Sequence, residues 1–145
     1  MSELSFKSEQ EASVAILFAV ALNNGNSLTQ SQIENLSRMM VLSSRFKGSD
    51  LNELTVHALS VQSVHGSRKV IEIAAPVVEA DFKETLFAMA CEVITTNGKI
   101  DQQESEILAM IALYLGLSME VMKMILTTYL IRNKWNVQII EEDES

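Results

Sequence analysis

Asp101 and Glu104, four and seven residues beyond Asn97 of an Asn-Gly turn, are the densest candidate for metal chemistry in this 145-residue sequence. The stretch Gly98-Lys99-Ile100-Asp101-Gln102-Gln103-Glu104 has the spacing of the second half of an EF-hand loop, from its central Gly to its closing Glu. Counting back places Val93, Thr95 and Asn97 at the opening ligand positions. Val93 has no side-chain oxygen and belongs to an apolar helical stripe, so the loop is not a full EF-hand. What remains is a turn-type site for a divalent cation built from Asn97, Asp101 and Glu104. The same residues have a second chemistry: Asp or Thr followed three residues later by Glu or Gln caps a helix start, where a carboxylate also meets the positive end of the helix dipole.

The other reactive side chains are sparse. Glu53 and His57 stand at i and i+4, a spacing that can chelate, with His65 eight residues further. One carboxylate and one His on a helix more often form a solvated face, and that is the reading taken. Cys91 is the one cysteine, so no intrachain disulfide can form. It sits on an apolar stripe with no Lys, Arg or His near it in sequence to lower its pKa, which marks it as a small core residue. There is no nucleophile–base pair, Gly-rich phosphate loop or dense carboxylate cluster, so no enzyme activity and no cofactor are expected. A different candidate is a contact surface. Met124 falls outside the apolar arc of its helix, and with Trp135, Val137, Ile139 and Ile140 it could present an adaptable apolar face to a protein partner or to a second copy of the chain.

The elements that must position these residues are helices. One Pro and five Gly leave few breakers, and alternation of strand type is scarce. Val14, Leu17, Phe18, Ala21 and Leu22 make the first helical stripe. Thr29 with Gln32 opens a second helix, expected to stop at Lys47-Gly48-Ser49. Asp50 with Glu53 opens a third, closed by His65-Gly66-Ser67, and Arg68 to Ala75 forms a shorter fourth ahead of Pro76. Further helices are expected over Asp81–Thr96, Asp101–Leu115 and from Ser118 onward, giving an all-α fold of about seven helices. A net charge of −8 argues against a nucleic-acid or anionic-membrane surface. The run Val14–Leu22 is far below the ~20 residues that span a bilayer, and the acidic N-terminal residues are unlike a signal peptide. A cytoplasmic, soluble protein is expected.

Two stretches repeat. Val14–Leu22 followed by Asn24-Gly25 and Thr29–Gln32 parallels Leu86–Ile94 followed by Asn97-Gly98 and Asp101–Glu104; the glycines lie 73 residues apart and the caps 72. Each half reads as apolar helix, Asn-Gly turn, capped helix, glycine (Gly48, Gly116) and another capped helix. Two pseudo-symmetric units, about 10–64 and 82–131, are therefore expected to pack around one core in a domain over 1–133. An acidic tail over 134–145 follows.

The second unit, from Phe87-Ala88-Met89-Ala90-Cys91 through Thr96-Asn97-Gly98-Lys99-Ile100-Asp101-Gln102-Gln103-Glu104 to Leu115-Gly116-Leu117-Ser118, resembles the tellurite-resistance TerB family, and the likeness spans roughly Ser8 to Ile131. The resemblance implies an all-α fold of about seven helices, cytoplasmic life, a role in chemical-stress or metal resistance, and a metal site built from acidic turns. This chain carries Asn24 and Asn97 where the family has an acidic residue before Gly, and Gln32 in place of a Glu; a hard divalent cation prefers charged oxygens. The leading expectation is a non-enzymatic TerB-like module acting by protein contact or weak ligand binding. The competing one is a metal-dependent sensor or enzyme using the Asn97–Glu104 turn.

Overall fold

The computed structural model describes residues 4–23, 28–95 and 100–134. Among them every regular element is helical: α1 (Glu9–Ala21), α2 (Gln30–Leu42), α3 (Leu51–Ala74), α4 (Lys83–Thr95), α5 (Gln102–Leu115) and α6 (Met119–Arg132), with single 3-10 turns at Ser44–Phe46, Ala75–Val77 and Ala80–Phe82.

Local chemistry explains most of the boundaries. Ser8, Thr29, Asp50, Asp101 and Ser118 each accept a backbone N–H from the third residue beyond them, which satisfies one of the donors a helix start leaves open. At the Thr29 and Asp101 caps, Gln32 and Glu104 reach back to the cap's own N–H, completing reciprocal boxes. α5 ends in a Schellman arrangement: Gly116 has φ +75°, its N–H reaches Leu113 O at 3.0 Å, and the Leu117 N–H reaches Ala112 O at 2.9 Å.

One expectation is corrected. The second helix stops at Leu42 and not at Lys47-Gly48-Ser49, because Ser43 turns extended and caps the following 3-10 turn through its hydroxyl. The break expected at His65-Gly66-Ser67 is present, and α3 is two helical stretches that meet there at a kink. At the kink Gly66 has φ +80° and ψ 164°, a conformation open to glycine and not to residues with a Cβ, so the six labelled helices comprise seven helical stretches, in line with the number expected. The kink is fastened by Ser67, whose hydroxyl donates to Ala19 O at 2.8 Å and accepts from Gln62 Nε2 at 2.7 Å. That bond also satisfies a carbonyl at the end of α1.

α1 is the central helix. Every residue from Ala12 to Ala21 is buried, so what reads in sequence as a stripe is apolar all round. Ala12, Ser13, Ala15 and Ala19 are small and fully buried, Ile16 and Leu17 are fully buried too, and α1 packs most extensively on α3. α1 also meets α4 and α5, and α4 in turn supports α6 and touches α2. Leu36, Ile71, Leu86, Phe87, Ile107, Leu108 and Ile111 complete a single core cluster. Each such side chain contributes roughly 1.5–3 kcal/mol on burial. No described helix is long and apolar enough to cross a membrane. Asn24-Gly25, Asn97-Gly98, Trp135 and Ile139 lie outside the described residues.

Candidate functional site

Three polar assemblies stand apart from the core. The first is the start of α5. Asp101 Oδ1 accepts the Glu104 N–H at 2.8 Å, and Glu104 Oε1 accepts the Asp101 N–H at 3.0 Å. Both carboxylates thus each hold a backbone amide. Asn97, the third residue of the metal reading, lies outside the described residues.

The second assembly was not visible in the sequence. Glu9, in the first turn of α1, has a side chain only 7% exposed. Its Oε1 accepts from Arg45 Nε at 2.7 Å, and its Oε2 accepts the Glu79 N–H at 2.7 Å. Arg45 also forms an ion pair with Asp81 and lies over the Phe82 ring, 5.1 Å from its centroid. Hydrogen bonds to Asp81 and then Glu9 hold the guanidinium's pKa above its ordinary value, so it is charged at any physiological pH. One ligand oxygen from each of Glu9, Glu79 and Asp81 lies within 4.8 Å of the others, a spacing that would suit a cation. The guanidinium of Arg45 already pairs with two of the three, Glu9 and Asp81. The assembly ties the start of α1 to the α2–α3 connection and to the turn ahead of α4, and Gln10 Nε2 adds a bond to Arg45 O at 2.9 Å. Its members are 36 residues apart in each direction, so no local spacing announces them.

The third is a groove of about 570 Å³ whose floor is α4 and whose walls are α2 and α6. Asn35 and Arg38 lie one turn apart on α2; Thr128, Tyr129 and Arg132 come from α6; Glu92 lies on the floor. Helical periodicity explains the two walls: spacings of three and four residues place these side chains on one side of each helix. The Tyr129 hydroxyl donates to Glu92 Oε1 at 3.4 Å. Burial first, and then the neighbouring Glu92 carboxylate, push the Tyr129 pKa up, so the phenol stays protonated and remains a donor. Behind it Asn133, itself buried, donates from Nδ2 to Thr95 Oγ1 at 3.1 Å and to Tyr129 O at 2.9 Å, fixing the end of α6 on α4. Arg38 Nη2 donates to Asn35 Oδ1 at 3.3 Å. Neither Arg38 nor Arg132 has a carboxylate partner among the described residues. The sequence offered one signal for this site: arginines off the apolar stripes of α2 and α6 in an acidic chain.

The remaining candidates are placed plainly. Cys91 is fully buried, and burial pushes its thiol up to about 12, so it is no nucleophile at neutral pH. His57 faces Glu11 of α1, Nε2 to Oε1 at 3.9 Å, and meets the Phe6 ring edge-on, whereas Glu53 is exposed and its N–H serves the Asp50 cap. Met124 is 62% exposed on the outer side of α6.

No family model, curated protein or solved structure matches the chain.

Proposed function

We propose that this chain is a non-enzymatic, TerB-like helical module of a tellurite or chemical-stress resistance system, acting in the cytoplasm by contact with another protein. The carrying observation is the outer side of α6. This helix contributes no buried apolar residue; its inner side half-buries Met122, Ile125, Leu126 and Tyr129 against the core, and Met119, Met124, Leu130 and Ile131 are left exposed. Met124 and Ile131, seven residues apart, share one stripe. Apolar side chains gathered on one helix mark a contact surface more often than isolated ones do. The family part of the reading is supported by the sequence resemblance. Contact is preferred to metal chemistry because Asp101 and Glu104 are engaged as caps.

The test is affinity capture from the native host with the wild-type chain and with a Met124→Glu/Ile131→Glu variant, alongside sedimentation of both across a concentration series. A partner, or a second copy, held by the wild type and lost by the variant is the expected result. Equal capture and equal sedimentation by both would overturn the assignment of this face. In a parallel melt, Ca²⁺, Mg²⁺ and Zn²⁺ should leave the melting temperature unchanged; a rise of several degrees abolished by Asp101→Asn would restore the metal reading.

A further inference from the structure

Of the four arginines, Arg45 has two carboxylate partners, and Arg38, Arg68 and Arg132 have none among the described residues. Arg38 and Arg132 line one groove from opposite walls. A guanidinium presents a planar fork that matches a carboxylate with two parallel N–H···O bonds. Between the two lies Glu92, half-buried, one of whose oxygens accepts from the Tyr129 hydroxyl. A carboxylate so placed attracts a cationic donor. The charged side chains of the groove therefore sum to +1, as two cations around one anion. Its volume, about 570 Å³, lies within the range of small-molecule sites.

We propose that the groove between α2 and α6 binds a small dicarboxylate that also bears an ammonium group, an acidic amino acid in chemical class. Arg38 and Arg132 each take a carboxylate, and Glu92 takes the ammonium. Such a ligand carries a net charge of −1, opposite to that of the groove. Asn35 orients Arg38 through its carbonyl, and Asn133 fixes Tyr129 and the end of α6, so part of the site is held in place before the ligand arrives. The proposal does not rest on Met124 and Ile131, which do not line the groove.

The experiment is a two-dimensional NMR titration of the full chain, observing backbone amides and arginine Nε–H groups, with L-glutamate, succinate and inorganic phosphate at matched ionic strength. Saturable shifts at Arg38 and Arg132 are expected with glutamate, at a dissociation constant of about 1 mM or below. Succinate, which lacks the ammonium, should bind several-fold more weakly, and phosphate more weakly still. Arg132→Lys should weaken glutamate by about fivefold or more, since a point charge replaces the fork. Glu92→Gln should erase the preference for glutamate over succinate while leaving the amide spectrum native. The Met124→Glu/Ile131→Glu variant should bind glutamate as the wild type does. Absence of saturation by ~20 mM glutamate, binding indifferent to Arg132→Lys and Arg38→Ala, or phosphate binding tighter than glutamate would each overturn the proposal.

Discussion

The arginine that pairs with the start of α1 and the arginines of the groove are the same side chain in opposite circumstances. Arg45 is enclosed by Glu9, Asp81 and the Phe82 ring, and three chain segments meet on it. Arg38 and Arg132 stand on separate helices with no carboxylate partner among the described residues. The difference teaches where to look for function in a chain of net charge −8. In an acidic trio that looks like a metal site, two of the three carboxylates, Glu9 and Asp81, are paired with the protein's own cation. Cations left unmatched beside a half-buried glutamate leave chemistry for a ligand to complete.

The largest effect should come from breaking the satisfied assembly. Glu9→Ala removes the acceptor for the Glu79 N–H and one of the two carboxylates on Arg45, which keeps Asp81 and its contact with solvent. A loss of about 2–3 kcal/mol is expected, less than for a fully buried pair because Arg45 is partly solvated. Chemical denaturation measures it, and a loss below ~0.5 kcal/mol would erase the contrast with the groove. A second test uses the α4 residue that adjoins the groove floor. Burial raises Cys91 from its ordinary 9.0 to about 12. The folded chain therefore holds this proton more tightly than the unfolded chain does, and stability is intact below pH 9 and declines between pH 9 and 12. The decline from this group should approach about 1.4 kcal/mol per pH unit. Melts of wild type and Cys91→Ala at several alkaline pH values should converge as pH rises; parallel curves would mean that the thiol titrates as it does in water.

The start of α5 gives a smaller effect. As a cap, Asp101→Ala should cost roughly 0.5–2 kcal/mol, and Asp101→Asn much less, because an amide oxygen still accepts the Glu104 N–H. Urea titration of the pair decides it. If Asp101→Asn is the more damaging change, charge rather than hydrogen bonding is at stake, and Asp101 joins the unmatched groups on the metal side of the comparison.

Local rules made much of the helical frame legible. Thr29–Gln32 and Asp101–Glu104 could be read as reciprocal boxes, Asp50 and Ser118 as caps, and Gly66 as a break, because each depends on residues three or four apart. The end of α2 was misplaced since the serine capping of Ser43 outweighed the stop signal at Gly48. That α1 is buried on every side could not be seen in its stripe, because it depends on which helices surround it. The two arginine sites were hidden for the same reason. Glu9, Arg45 and Asp81 meet across spans of 36 residues, and Arg38, Glu92 and Arg132 converge only once α4 brings α2 and α6 to its two sides.

Thermal melting of Arg45→Ala beside the double variant Arg38→Ala/Arg132→Ala tests the central contrast most directly. Arg45→Ala should melt several degrees below the wild type, because it strands the buried Glu9 carboxylate. The double variant should melt within roughly 2 °C of the wild type, as befits exposed side chains that hold no ion pair. A double variant that melts as far down as Arg45→Ala, or an Arg45→Ala chain that melts like the wild type, would contradict the account.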